Sequence, residues 1–312
     1  MKISSLLQSL TLVSAIIGFV EGEKTNAFFP RKSKNVKYPK KQEVAALSVR
    51  GGAGNGIVEP ATATNVFGSL VLAQGVYQTL AASKCAEAYG CDPQDFTILT
   101  NALSRRAGVA LTSMGLYIFA LHMQNYSVYT AMALGSSVWI AEWLYAFLNE
   151  SEIGMVETNL FGFVLSCAST YGCLKDADWA TNALKIETVF ALLGGLSCSI
   201  LSFEQTSAIW NLDSQGIPKS SPWDLPYMRG QGYNLLGIAI MGYTLIFEEK
   251  DILLATGRMA TAGVLFWLKA VLMNEMPDEA KKTPGPYIWM ALNAIVAYTL
   301  LVGDSSSVSP GE

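Results

Sequence analysis

The sequence predicts an all-α integral membrane protein with about eight transmembrane helices and internal, inverted repeats. Three observations carry that expectation. Of 312 residues, 51% are hydrophobic and 15% charged, with a mean hydropathy of +0.32. A soluble chain carries charge on about a quarter of its residues. The charges gather in the first 50 residues and in short clusters between long apolar runs, the pattern of spans and loops rather than of one core. One segment also occurs twice in near-copy.

The N-terminus reads as an address. Met1–Lys2 precedes an apolar run from Leu6 to Val20, and Thr25-Asn26-Ala27 places small residues before a cut after Ala27. Residues 1–27 therefore read as a cleaved secretory signal peptide, the run being short for a span; a retained signal anchor is the alternative. Residues 28–60 read as a basic, transit-like segment, with Arg31, Lys32, Lys34, Lys37, Lys40, Lys41 and Arg50 against Glu43. The junction Asn26-Ala27-Phe28-Phe29-Pro30 resembles the bipartite plastid presequences of algae with red-type secondary plastids. That resemblance implies a plastid membrane as destination; without it, an endomembrane or the plasma membrane is the alternative.

Residues 61–303 read as the membrane domain and 304–312 as a tail. Apolar runs place helices near 66–88, 106–123, 128–148, 153–173, 183–203, 232–248, 252–273 and 286–303, each long enough to cross a core of about 30 Å. Gly90, Gly172 and Gly303 stand where helices stop, and Pro284 and Pro286 where the last begins. Alternate loops hold Lys84, Arg105, Arg106, Lys219, Arg229, Lys281 and Lys282; the others hold Lys175, Lys185 and Lys250. The richer face is expected to be cytosolic or stromal.

Cys85-Ala-Glu-Ala-Tyr89-Gly90-Cys91 is followed by Asp95-Phe96 and Thr100-Asn101-Ala102-Leu103. Cys167-Ala-Ser-Thr-Tyr171-Gly172-Cys173 is followed by Asp178-Trp179 and Thr181-Asn182-Ala183-Leu184. With fainter echoes later, the copies lie near 66–148, 153–203 and 232–303. Three helices in the first copy would invert the second, an arrangement of secondary transporters; a bundle merely enlarged by duplication is the alternative. Residues 204–230, with Trp210, Trp223, Pro218, Pro222 and Pro226, read as an interfacial loop.

A charge at bilayer depth costs roughly 2.5–3.5 kcal/mol and so faces a partner or a cavity. Glu142 lies deepest, and Lys269, Glu157, Glu187 and Arg258 also fall inside helices. An ion pair from Glu142 to Lys269 or Arg258 is expected, whereas Arg105, Arg106, Glu248 and Glu249 read as anchors at helix ends. Asn65, Asn159 and Asn234 each open an Asn-x-x-Gly step suited to close helix approach or solute contact. These eight residues, Glu142 to Asn234, are the candidate substrate- or ion-binding set. The cysteines read as free and partly buried.

Gly257-Arg258-Met259-Ala260-Thr261-Ala262-Gly263 looks like a motif of light-harvesting chlorophyll proteins. Leu253 stands where that family has its pairing acid, so nothing is carried over. With His122 the one histidine, no catalytic constellation, metal site or cofactor is expected, and no basic patch suggests nucleic acid. The expectation is a non-enzymatic carrier of an unidentified small solute or ion, embedded in the lipid bilayer. The alternatives are a subunit or assembly factor that binds other membrane subunits of a photosynthetic complex, and, more weakly supported, an enzyme modifying lipid or isoprenoid.

Overall fold

In a computed structural model the chain is described over residues 58–150, 156–210 and 221–302. The signal peptide, most of the basic segment, the tail and residues 211–220 lie outside the described residues, as does the side chain of Glu157. The helices are α1 Pro60–Leu80, α2 Ala82–Ala88, α3 Ile98–Ile118, α4 Val128–Asn149, α5 Val156–Leu174, α6 Ala180–Ile200, α7 Phe203–Trp210, α8 Asp224–Gly242, α9 Ile252–Leu272, α10 Asp278–Lys282 and α11 Gly285–Leu301. No strand occurs among the described residues.

By length and composition three of these, α4, α6 and α9, are long and apolar enough to cross a membrane, and α11 is a shorter apolar helix. The reason fewer helices qualify than expected is visible in α3. From Ala102 to Ile118 every residue of it except Leu111 is buried, yet the run holds Arg105, Arg106, Thr112 and Ser113. A hydropathy average counts those polar groups without knowing that neighbouring helices satisfy them. Outward faces carry the apolar surface instead: Leu193 and Ile200 on α6, Leu265 and Leu272 on α9, and Val164 on α5 are all more than half exposed. Such a surface is compatible with membrane association.

Helix α3 starts eight residues before the expected position. Thr97 caps it by accepting from Thr100 N at 3.0 Å, and Thr100 reciprocates toward Thr97 N. Helix α8 likewise starts at Asp224 rather than 232, because Asp224 Oδ2 accepts from Ser221 N at 2.8 Å. In the described parts of the expected interfacial loop, Trp210 and Trp223 turn inward: both are buried, and Trp210 Nε1 donates to Ser197 Oγ at 3.0 Å. Thr97 and Thr100 both donate to Asp224 Oδ1, which ties the starts of α3 and α8 together.

Local geometry recurs at a separation of 124 residues, the interval between Thr100 and Asp224. Helix α3 widens over Phe119–Met123 so that Gln124 N reaches Phe119 O; α8 widens over Tyr243–Phe247 so that Glu248 N reaches Tyr243 O. Asn125 (φ 53°) and Glu249 (φ 54°) follow, both left-handed. Ser127 then caps α4 and Asp251 caps α9. Glycines recur too. A Cβ on Gly108 would lie 2.6 Å from Thr79 N of α1, and one on Gly232 would lie 2.9 Å from Ser199 N of α6. The two Cys-containing copies, by contrast, differ locally. The first spans α2 and a turn at Gly90 (φ 89°), while the second forms the end of α5.

Candidate functional site

The expected partners of Glu142 are not the observed ones. Arg105 donates to its carboxylate through Nη2 at 2.7 Å and Nε at 2.8 Å, and Arg106 Nε approaches at 3.2 Å. Glu150, at the end of α4, accepts from Arg105 Nη1 at 2.6 Å and from Arg106 Nη2 at 3.4 Å. All four side chains are buried, Arg106 and Glu142 at 1% exposure. Two guanidinium groups thus neutralise two carboxylates between α3 and α4. The arginines read as helix-end anchors only because the start of α3 was placed too late. With the start at Ile98 they sit about two turns into it, facing α4. The tetrad ties the two helices together.

Arg258 pairs with Glu248 across the turn into α9. Asn65 and Asn159 each bury a side-chain oxygen without a hydrogen-bond partner. Glu187 accepts from Ser136 Oγ at 2.8 Å. Neither Arg258 nor these three lines the large cavity described next.

Lys269 and Asn234 do meet at a common space. A cavity of about 560 Å³ lies between α1, α3, α8, α9 and α11. Much of its wall is apolar, including Phe67, Leu111, Met114, Ile240, Met259 and Phe266. A polar cluster joins that wall. Lys269 Nζ donates at 2.9 Å to Ser199 O, Tyr233 Oη and Glu275 Oε1. Arg229 Nη1 donates to Cys198 O at 2.7 Å, and its Nε lies 3.6 Å from Glu275 Oε1, too far for a hydrogen bond. Two cations therefore share one carboxylate, and the Arg229 Nε–H and the Tyr227 hydroxyl are sealed from solvent without partners. Asn234 Nδ2 is used internally, donating to Ala107 O at 3.2 Å.

Arg229, Tyr233 and Glu275 were missed by sequence reasoning. Arg229 reads as a loop residue when α8 is taken to start at 232, whereas the helix begins at Asp224. Glu275 follows α9 and gained meaning only from its contact with Lys269. A basic residue four positions before an aromatic, on a helix with glycines at 230, 232 and 237, is the one signal that pointed to an interior position.

All five cysteines are free. The Cys91 thiol, in the turn before α3, is pushed up to about 12 by burial and, secondarily, by Asp95 and Asp92. Thiolate is the reactive form. Maleimide labelling of Cys91 is expected to be undetectable in native protein at pH 7.5 and to appear on unfolding. Rapid labelling of folded protein would contradict this placement. No group of three or more His, Cys, Asp or Glu residues suited to a metal is found among the described residues. Comparison with protein-family models, with curated proteins and with solved structures finds no match to this chain.

Proposed function

We propose that the protein is a multi-pass membrane carrier whose solute is an amphipathic organic anion held in the cavity beside Arg229 and Lys269. The observation that carries this reading is a largely apolar 560 Å³ chamber whose wall also bears two cations and one acid. Chambers of 300–1,000 Å³ with a few convergent polar groups are the usual form of small-molecule sites. The unspent Arg229 Nε–H suits a carboxylate or phosphate oxygen, and the aromatic and aliphatic wall suits a hydrocarbon body.

In this reading all eight long helices span a plastid membrane reached through the bipartite presequence. The recurrence at 124 residues supports two halves of four helices each. An even number of spans gives the halves the same orientation, as in transporters built from parallel repeats, instead of inverted three-helix units. Cysteines introduced at exposed Gln94 and Lys175, at the two ends of the bundle, are then expected to label with an impermeant reagent from opposite faces. Labelling of both from one face would sink the topology.

The solute reading is tested in lipid nanodiscs with a nitroxide-labelled fatty acid, read by quenching of the cavity tryptophans Trp223, Trp267 and Trp289. Saturable quenching is expected for the acid. Its neutral methyl ester should bind roughly tenfold more weakly, the loss of one charge-assisted hydrogen bond. Arg229→Gln should remove that preference, and Ala262→Trp, which fills the chamber, should abolish binding. Equal, non-saturable quenching by acid and ester would refute it. A subunit role is favoured instead if the chamber proves filled by a neighbouring protein in native membranes.

A further inference from the structure

A second, smaller space lies on the other side of α8. It has a volume of about 40 Å³ and is bounded by Glu187 on α6, Ser166 on α5, Gln231 on α8 and the rings of Trp139, Trp143 and Trp210. Three features make it a built site. First, Glu187 places a carboxyl inside an apolar helix with no ion pair among the described residues. Ser136 Oγ donates to it at 2.8 Å, and the Ser166 and Ser169 hydroxyls on α5 also lie within hydrogen-bonding reach of it. Leaving a carboxylate so placed without a counter-charge is costly.

Second, two polar atoms at the space are sealed without partners. They are Gln231 Oε1, on a side chain 3% exposed, and Trp143 Nε1, on one 4% exposed. Unmatched buried polar atoms are uncommon and call for an occupant. Third, the walls are aromatic. Ring faces attract cations that shed water easily, and ammonium groups fit them better than strongly hydrated ions. One water needs about 10–15 Å³ measured this way, so 40 Å³ holds a small cation and an accompanying water. The cation would meet the Glu187 carboxylate, Gln231 Oε1 and the Ser166 hydroxyl. The water would accept from Trp143 Nε1. A water alone would satisfy the two orphan atoms but leave the carboxylate uncompensated.

We propose that the Glu187 pocket binds a small, weakly hydrated monovalent cation of the ammonium class, enclosed by Ser166, Gln231 and the three tryptophan rings. This site is separate from the amphiphile chamber and stands or falls without it.

The test uses the full chain in nanodiscs at constant ionic strength with sodium chloride as background. Ammonium, methylammonium and tetramethylammonium chlorides are titrated in turn, read by tryptophan fluorescence and by the midpoint of thermal unfolding. Ammonium and methylammonium are expected to give saturable changes in both. Tetramethylammonium, too bulky for the space, should give none. Glu187→Gln, which keeps a partner for Ser136, should weaken the response at least tenfold. Should that variant fail to fold, Ala191→Leu, which fills the pocket from α6, should show the same loss. The proposal is overturned if no ammonium ion gives a saturable response in the wild type, if Glu187→Gln or Ala191→Leu responds equally, or if tetramethylammonium acts as well as ammonium. An infrared band of protonated carboxyl, absent in Glu187→Gln and unchanged by ammonium, would also overturn it, showing a neutral acid with water only.

Discussion

Glu142→Ala is expected to destabilise the protein by about 3–5 kcal/mol, the usual result of removing one partner from a buried ion pair. The substitution removes one of the two carboxylates that face Arg105 and Arg106, whose side chains are 8% and 1% exposed. Two guanidinium groups then share one carboxylate where water cannot reach them. Much of the cost is that stranded charge rather than the value of the original pair. The prediction separates from simple loss of packing through a double substitution. Arg105→Met combined with Glu142→Met removes one charge of each sign and fills similar volume, leaving Arg106 with Glu150. It should recover most of the loss, since replacing a buried pair by apolar groups is often close to neutral. Reversible unfolding in mixed micelles measures both. A Glu142→Ala variant within about 1 kcal/mol of the parent would mean that the tetrad is hydrated or not formed. The position also bears on transport. If the tetrad is structural, folded Glu142→Gln should retain whatever cation-dependent solute uptake the parent shows.

Gly108→Val is expected to cost about 3 kcal/mol or more, at the upper end for overpacking. A Cβ there would stand 2.6 Å from Thr79 N and 2.9 Å from Gln78 C. Those atoms are backbone of α1, so relief requires the helices to move apart. Separation would undo the matching contact at Gly115, whose Cβ would meet Leu72 Cα at 2.6 Å. It would also open the wall of the large cavity, to which both helices contribute. Gly230→Ala provides the contrast. Nothing lies within 4 Å of a Cβ at that position, and alanine in a helix is favoured over glycine by about 0.8–1 kcal/mol. That variant should gain stability by a similar amount. Equal behaviour of the two would mean that α1 and α3 are not in close contact.

The positions of these residues show how far the sequence reached. Lys269 and Asn234 were identified because a charge or amide inside an apolar run must find a partner whatever the fold, and both line the large cavity. Glu142 was identified on the same ground, but its partner was not. Whether Glu142 meets Arg105 or Lys269 depends on which helix lies beside α4. No property of the segment around Glu142 encodes that. The boundaries of α3 and α8 failed through one cause: each begins with a stretch polar enough for a hydropathy window to assign it to a loop. Moving those starts outward turned Arg105, Arg106 and Arg229 from loop charges into interior ones. Ser166 and Gln231 carried no signal at all, being ordinary polar residues until α5, α6 and α8 bring them to Glu187.

What the sequence determined by itself is local and additive. The α-helical class follows from long apolar runs punctuated by caps and glycines, and the need to neutralise buried charge follows from the cost of desolvation. What only the tertiary structure decided is relational. Burial of α3, the least apolar-looking of the central helices, is possible because Gly108 and Gly115 let α1 approach its backbone and because α4 supplies two carboxylates to its two arginines. The two cavities are volumes left unfilled where helices meet, and an unfilled volume has no residue of its own. It exists only once distant segments have been packed and their side chains fail to meet.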